Sequence, residues 1–371
     1  MRKTALLVCF FAALGFTPAA FAGGKSPVVY VQTNELGGNH VVVYDRGGDG
    51  RLSQAGTYAT GGNGGAAAPG TESDRLASQG SLAYDAGHSL LIAVNAGSDS
   101  ISAFKVQGDR LKPADVLSSG GQFPASVAVH GDLVYVLNSG GEGIVQGFRI
   151  QGRHLVPIPG SARSLALANT DPPFFLTSPG QVGFTPDGRK LLVTTKGSTS
   201  SIDVFSVQPD GRLSAAPVVN PSATPVPFAF TFAPSGRLVD GEAGTSSVTT
   251  YAIQADGSLT DPKSQSDGQT ALCWITPARG FYYVANTGSN TLSGFTIAAD
   301  GTPSLVGATG VVASTEPGPI DLAASGEGDF LYGETGLTST VDEYHVESDG
   351  SLTKLGTVTG LPPGIEGIAA S

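Results

Sequence analysis

The chain has 371 residues, a formal net charge of −11 at pH 7 and only 14% charged residues, with 53 glycines and 24 prolines. An acidic surface repels phosphate backbones and anionic lipids, which argues against nucleic acid or membrane insertion as partners. A chain this rich in glycine and proline is either disordered or full of tight turns. Recurring runs of Val, Ile, Phe and Tyr favour a turn-rich, all-β protein.

The first 22 residues have the pattern of a removable signal peptide. Arg2 and Lys3 precede an apolar stretch at residues 5–16, and residues 20–22 form a small-x-small cleavage site. The apolar stretch is too short to span a bilayer. We therefore expect residues 1–22 to be removed, residues 23–371 to form one domain, and the protein to be periplasmic or secreted. Cleavage leaves Cys273 as the one cysteine, so we expect no disulfide bond.

Seven similar units follow one another along the rest of the chain. Each is marked by an alternating strand that ends in an aromatic residue: Tyr44, Phe104, Phe148, Phe205, Tyr251, Phe295 and Tyr344. A tight turn comes next, and in most units it is Asp-Gly, as at Asp49-Gly50. Asp-Gly between alternating apolar residues predicts a β-hairpin, because both central residues of a type I′ turn need a positive φ.

Two further strands precede each marker strand: a short apolar one and, before it, one rich in small residues. Four short strands repeated about every 50 residues are typical of a β-propeller blade. Small residues suit the innermost strand, because the blades converge there. The sequence therefore predicts an all-β fold, a seven-bladed β-propeller with four antiparallel strands per blade.

The two ends of the chain complement each other. The first unit has no innermost strand before Val28, whereas residues 365–370 are left over at the C-terminus. We expect this C-terminal strand to pair beside residues 28–33 and to close the ring, which removes open strand edges. Two long insertions, residues 61–70 and 161–177, should be loops before blades two and four.

Four segments resemble the bacterial lactonase-like propellers: residues 93–97, 134–138, 184–193 and 283–288. That family includes the propeller type of 6-phosphogluconolactonase and carboxymuconate cyclase. Residues 78–82, 227–230, 241–243 and 271–274 are similar to an exported bacterial subgroup. The resemblance implies hydrolysis of a sugar or related lactone in the central-channel pocket. Catalytic members place a Pro-His segment, arginines and a glutamate there, and only Glu242 falls where that glutamate would be.

Charged residues at one rim of the predicted channel are the catalytic candidates. Glu242, Lys196 and Glu334 stand at strand ends where other units have asparagine. A carboxylate near a lysine can act as acid and base, or orient water on a lactone carbonyl. The alternative is a solvated charge pair at the channel mouth. In a hydrolase of this kind, Glu242→Gln should lower turnover about 100-fold.

Polar residues at strand ends and at the starts of inner strands are the candidates for binding a ligand. They are Asn34, Asn95, Asn138, Gln181, Trp274, Asn286 and Asp321. A ring of such groups around one pore suits a small molecule. The alternative is that the asparagines only shape turns, because asparagine tolerates the left-handed conformation.

The sequence contains no cofactor motif. Two carboxylates could hold a divalent cation, but no Asp-rich loop of the calcium-binding type is present. Two functions therefore fit these residues. One is an exported lactone hydrolase with Glu242 and Lys196 at the chemistry. The other is a non-catalytic propeller that binds a small molecule or a protein partner. We expect a monomer in either case.

Overall fold

The computed structural model describes residues 27–68 and 72–371, which form seven antiparallel sheets arranged as the blades of a β-propeller. The predicted all-β, seven-bladed architecture is confirmed. The predicted signal peptide, residues 1–22, lies outside the described residues. Helix in the described part of the chain is a single 3-10 turn, Ala96–Ser98. No helical segment there has the length and hydrophobicity needed to cross a membrane.

Each blade runs from an inner strand at the channel to an outer strand at the circumference. Blades one to three contain β30 (Ile368–Ala370), β1 (Val28–Gln32), β2 (His40–Arg46) and β3 (Leu52–Ala59); β4 (Leu82–Asp85), β5 (Leu90–Asn95), β6 (Ser100–Gln107) and β7 (Arg110–Ser118); and β8 (Pro124–His130), β9 (Leu133–Asn138), β10 (Ile144–Gln151), β11 (His154–Pro157) and β12 (Arg163–Ser164). Blades four and five contain β13 (Gln181–Phe184), β14 (Lys190–Thr194), β15 (Ser201–Ser206) and β16 (Val218–Pro221); and β17 (Pro227–Phe232), β18 (Leu238–Glu242), β19 (Ser247–Ile253) and β20 (Leu259–Ser266). Blades six and seven contain β21 (Leu272–Ala278), β22 (Phe281–Asn286), β23 (Thr291–Ile297), β24 (Pro303–Leu305) and β25 (Val311–Ser314); and β26 (Pro319–Ala324), β27 (Phe330–Thr335), β28 (Thr340–Val346) and β29 (Leu352–Val358).

Blades three and six depart from four continuous strands because their outermost strand is in two pieces. Both β11 and β12 pair with β10, and both β24 and β25 pair with β23. The division leaves the three inner strands of each blade unchanged, so it does not alter the walls of the channel.

Apolar side chains fill the spaces between neighbouring blades. Successive residues of a strand point to opposite faces, and a blade packed on both sides therefore needs apolar residues on both. The strand β5 (LLIAVN) is buried along its whole length for this reason. One cluster spans blades five to seven and includes Phe228, Trp274, Tyr283 and Leu331.

The C-terminal strand closes the ring as the sequence predicts. In β30, Ile368, Ala369 and Ala370 pair with Val31, Tyr30 and Val29 of β1. Blade one is therefore built from both ends of the described chain, which hold each other at the seam.

Side chains of one blade cap the hairpin turn of the next. The hydroxyl groups of Tyr135, Tyr283 and Tyr332 donate to the carbonyls of Gly211, Gly350 and Gly50, at 2.8, 3.0 and 2.8 Å. These glycines have positive φ and pack closely against the preceding blade; a Cβ on Gly50 would overlap Phe330 of blade seven. Thr250 and Asn220 make the same kind of bond to Gly301 and Gly257. At the junction between blades one and two, the buried Tyr30 hydroxyl has no partner.

The two insertions meet over one mouth of the channel. The amide of Ala68 donates to the carbonyl of Pro173 at 2.9 Å, and the amide of Phe175 donates to Ala68 at 3.2 Å. Both insertions join an outer strand to the next inner one, so they reach the rim that carries the predicted charged residues. That rim is therefore covered.

Candidate active site in the central channel

Residues 72–80, which lead from blade one into blade two, cross the channel. None of them belongs to a strand. The amide of Leu76 donates to the Glu366 carboxylate of blade one at 2.5 Å, and the indole Nε1 of Trp274 in blade six donates to Ser78 O at 3.0 Å. From blade three, Ser126 Oγ donates to Gln79 O at 2.6 Å. These contacts with opposite sides of the ring show that the segment occupies the axis. We call residues 72–80 the plug.

Lys196 ties the plug to the second insertion. Its Nζ donates to Ala77 O at 2.5 Å, to Phe175 O at 2.6 Å and to Ser178 Oγ at 2.9 Å. The side chain is only 1% exposed, and Nζ lies 5.0 Å from the centre of the Phe228 ring. Burial lowers the pKa of Lys196 to about 8, although Asp74, Cys273 and Glu366 nearby favour the charged form. The Lys196 amine therefore gains or loses its proton close to neutral pH.

Four carboxyl groups gather around the same part of the channel. Burial raises the pKa of Asp74, an effect that Lys196 partly offsets. Burial also raises the pKa of Glu366 well above its ordinary value, with further increases from Asp74 and Asp321. The pKa of Asp321 rises to about 7, because desolvation outweighs the amides of Leu322, Ile368 and Gly80 that bond to it. Each of these carboxyls therefore keeps its proton to a higher pH than an ordinary carboxyl does.

Glu334 is the fourth of these carboxyls and has few partners. It is completely buried; Oε2 accepts from the Gly367 amide at 2.9 Å, and Oε1 has no hydrogen-bond partner. Burial, reinforced by the charge of Asp321, raises its pKa well above the ordinary value. The two polar atoms of the buried Gln32 side chain are also unpartnered. Orphaned polar atoms in a buried place point to an occupant such as water or a polar ligand.

Glu242 lies in a different environment, inside blade five. Its carboxylate accepts hydrogen bonds from the hydroxyls of Ser222 at 2.5 Å and Tyr251 at 2.6 Å, and also from Thr224 and Thr249. These donors come from strand β19 and from the loop before β17. We call this group the hydroxyl nest. It surrounds the carboxylate with donors from blade five and from the loop that leads into that blade.

Strand register explains why two glutamates that look alike in the sequence differ in the structure. Glu242 pairs with Ser247, as Asn95 pairs with Ser100 and Asn286 with Thr291. Glu334 pairs with Val341, and it is the next residue, Thr335, that pairs with Thr340 at the corresponding place. A shift of one residue reverses the face to which a side chain points. Glu242 therefore replaces the structural asparagine, and Glu334 does not.

The predicted ligand-binding asparagines are buried and bonded within the scaffold. Asn95 Nδ2 donates to Ser102 Oγ at 2.8 Å, and Asn286 Nδ2 donates to Ser293 Oγ at 2.9 Å, in each case on the third strand of the same blade. Asn138 Nδ2 donates to the carbonyls of Ser119 and Ile144, and Asn34 Nδ2 donates to Gly65 O. These bonds fit the turn-shaping role that the sequence offered as the alternative, while the Oδ1 atoms of Asn138 and Asn286 are buried without a hydrogen-bond partner.

Two glutamines span neighbouring or opposed inner strands. Gln181 exchanges two hydrogen bonds with the backbone of Phe230, and Gln79 does the same with Ile275 across the channel. Three of the predicted ligand-binding residues lie at the channel. They are Gln181, Trp274, which bonds to the plug, and Asp321, which accepts from the Gly80 amide. Cys273 is a free cysteine, and burial raises the pKa of its thiol, which disfavours the thiolate.

The channel is open at its other mouth. A cavity of about 310 Å³ lies there, lined by the inner strands β8, β13 and β17 and by Thr185 and Pro186. Gln181 is part of this lining. A small molecule in this cavity can therefore contact Gln181.

Sequence reasoning found Lys196, Glu334, Trp274 and Asp321 but missed Asp74 and Glu366. Glu366 carried a usable signal, because it stands at the start of the leftover C-terminal strand, where other blades place residues that face the channel. Asp74 follows a glycine-rich insertion and gave no periodic signal at all. In the described part of the chain, no three His, Cys, Asp or Glu side chains are grouped so as to hold a metal ion.

Comparison with known proteins extends the likeness to the whole ring. A protein from Lactobacillus plantarum superposes with a TM-score of 0.70 at 19% identity, covering 94% of this chain and 100% of its own. A Bacteroides fragilis protein provisionally named a 6-phosphogluconolactonase gives 0.71 at 16% identity, covering 94% and 98%. The periplasmic gluconolactonase PpgL of Pseudomonas aeruginosa gives 0.70 at 19% identity, covering 92% and 98%.

No family model matches the chain, and no curated protein matches its sequence. The predicted resemblance is confirmed at the level of fold: this chain is a seven-bladed β-propeller that superposes on propellers named as lactonases.

Proposed function

We propose that the chain is an exported lactonase that hydrolyses a sugar or related lactone on the axis of its central channel. The observation that carries this proposal is a pair of buried carboxyls, Asp321 and Glu334, which interact with each other and whose pKa values are both raised, that of Asp321 to about 7 and that of Glu334 well above its ordinary value. Buried carboxyls with displaced pKa values are typical of acid–base sites.

The two carboxyls divide the chemistry between them. Asp321 takes a proton from water as the water oxygen attacks the lactone carbonyl carbon. The ammonium of Lys196 supplies positive charge to the chamber while negative charge develops on the carbonyl oxygen. The ring C–O bond then breaks, and the leaving oxygen receives a proton from Glu334. The product is an open-chain hydroxy acid, and proton exchange with solvent returns both carboxyls to their starting state.

We also propose that the protein is exported from the cytoplasm. The N-terminal pattern of a signal peptide supports it, and the periplasmic gluconolactonase shows that a propeller of this fold can act in that compartment. We propose cleavage after Ala22, a single domain from residue 23 onwards, and a periplasmic or secreted monomer. The N-terminal sequence of the protein recovered from the periplasm or medium tests this directly.

The second candidate is a propeller that binds a small molecule and catalyses nothing. The burial of Lys196, Glu242 and Glu334, at 1%, 0% and 0% exposure, favours it, because no substrate can touch side chains that are buried in this way. In this case Gln181 and the cavity beside it hold the ligand. Binding without turnover, measured by calorimetry, separates the two candidates.

A panel of five- and six-membered sugar lactones, followed by the pH drop on ring opening, tests the hydrolase. Asp321→Asn should reduce turnover about 100-fold or more, as loss of general-base help does. The same assay with Glu242→Gln decides between the two locations of the chemistry. A channel site predicts unchanged turnover per folded molecule, whereas a site at Glu242 predicts the 100-fold loss expected from the sequence. Parallel assays with chelator and with added divalent cation test metal dependence.

A further inference from the structure

The plug is held in the channel by side-chain hydrogen bonds and a few backbone hydrogen bonds rather than by strand pairing. Hydrogen bonds reach it from blades one, three, four and six, through Glu366, Ser126, Lys196 and Trp274. Gln79, at its end, also exchanges two hydrogen bonds with Ile275. A segment without strand pairing can open locally at a much lower free energy than the blades around it.

Below the plug lie groups that are incompletely satisfied while it is closed. Glu334 Oε1 has no partner, and Asp321 and Glu366 keep raised pKa values because they are shut away from water. Departure of the plug would hydrate these carboxyls, which offsets part of the cost of breaking its contacts.

We propose that residues 72–80 are a movable plug, latched by Lys196, whose departure opens the channel to its buried carboxyl groups. Lys196 is the latch because its one amine joins the plug at Ala77 to the second insertion at Phe175 and Ser178. Those three acceptors use all three protons of an ammonium group. The plug deepens the proposed function, since it governs access to Asp321, but its movement can be measured without any lactone.

The chain contains two natural reporters of this movement. Trp274 is its single tryptophan, and the indole N–H donates to the plug, so its emission reports whether the plug is in place. Trypsin cleaves after arginine, and the bond after Arg75 lies within the plug next to Leu76, which is 0% exposed. Cleavage there requires the segment to leave the channel.

The first test compares Lys196→Met with Lys190→Met. Lys190 is a matched control, because its Nζ also donates to a backbone carbonyl, Ala255 O at 2.7 Å, but on the outside of the ring. Lys196→Met should raise the rate of cleavage after Arg75 about 10-fold or more, because it removes charge-assisted hydrogen bonds. Trp274 emission should move to longer wavelength. Lys190→Met should change neither. Wild-type cleavage and emission in Lys196→Met would overturn the latch.

A second pair of variants covers the case in which Lys196→Met fails to fold. Gln79→Leu removes the two bonds from the end of the plug to Ile275, and Gln181→Leu removes the two equivalent bonds to Phe230 without touching the plug. Selective cleavage after Arg75 in Gln79→Leu alone supports the plug; equal cleavage in both overturns it. If the plug opens and no lactone is hydrolysed, the proposed function fails and the plug stands. If lactone is hydrolysed while residues 72–80 are shown to stay in the channel, the proposed function stands and the movable plug fails.

Discussion

Glu242 and Glu334 lie at or next to the ends of the second strands of blades five and seven, and both are completely buried, yet their surroundings are opposite. Glu242 receives hydroxyl groups from four residues of the hydroxyl nest, whereas Glu334 receives one backbone amide and keeps an oxygen without a partner. A buried carboxylate surrounded by donors is stabilised as part of the scaffold, and one that lacks them is costly. The difference separates a structural acid from one that is available for chemistry.

The largest effect on stability is expected from removing the C-terminal residues that bond to Glu334 and to the plug. Deleting residues 364–371 removes β30, the Glu366 carboxylate that holds the plug and the Gly367 amide that holds Glu334. We expect the melting temperature to fall by about 10 °C or more, or cooperative unfolding to be lost, because blade one is left open at the seam. Thermal unfolding by circular dichroism measures this. Removing Ser371 alone is the control, and equal melting of the two proteins would contradict the role of closure.

Replacement of the two glutamates tests the comparison itself. Glu242→Ala should lower the free energy of unfolding by about 3 kcal/mol or more, because several buried hydroxyls lose their acceptor together. Glu334→Gln should be close to neutral, since it removes a poorly satisfied acid and keeps its shape. Urea denaturation of both variants gives the two values. Similar losses would show that the environments are not energetically different.

A third expectation concerns pH. Because the folded pKa of Asp321 is raised from 3.8 to about 7, its contribution to stability is present at acid pH and is lost as pH rises through about 7. Between pH 5 and 7 the slope for this one group is at most about 1.4 kcal/mol per pH unit. Asp321→Asn should remove that part of the slope, whereas Asp109→Asn, in a turn far from the channel, should not. Identical slopes in wild type and Asp321→Asn would refute the shifted pKa.

The smallest effect is expected at the uncharged counterpart of Glu242. Asn286→Ala removes hydrogen bonds to Ser293 and Thr291, and it should lower the free energy of unfolding by about 1 kcal/mol. Turnover per folded molecule should not change. A selective loss of ligand affinity in this variant would show that the asparagines contribute to ligand binding.

The ring was predictable because every blade repeats the same local signals. The aromatic marker strands, the Asp-Gly turns and the leftover residues 365–370 each follow from short-range sequence patterns, and the closure at Val29–Val31 follows from counting strands. A fold can be predicted from sequence when its local patterns agree with the global arrangement.

The site was only partly predictable, for two physical reasons. The face to which Glu334 points depends on a one-residue difference in register, which is invisible until the strands are paired. The plug carries no periodicity, so nothing in residues 72–80 indicates that they cross the channel. Asp74, which lies within them, could not be found by reasoning from strands.

The uneven fastening of the blades has a consequence for how the ring fluctuates. Tyrosine hydroxyls clamp the junctions between blades three and four, six and seven, and seven and one, but the hydroxyl of Tyr30 has nothing to clamp at the junction of blades one and two. Amide hydrogens near that junction should exchange with solvent earlier than those at the clamped ones. It is also the junction from which the plug emerges, so a junction without this clamp and the segment that fills the axis are next to each other.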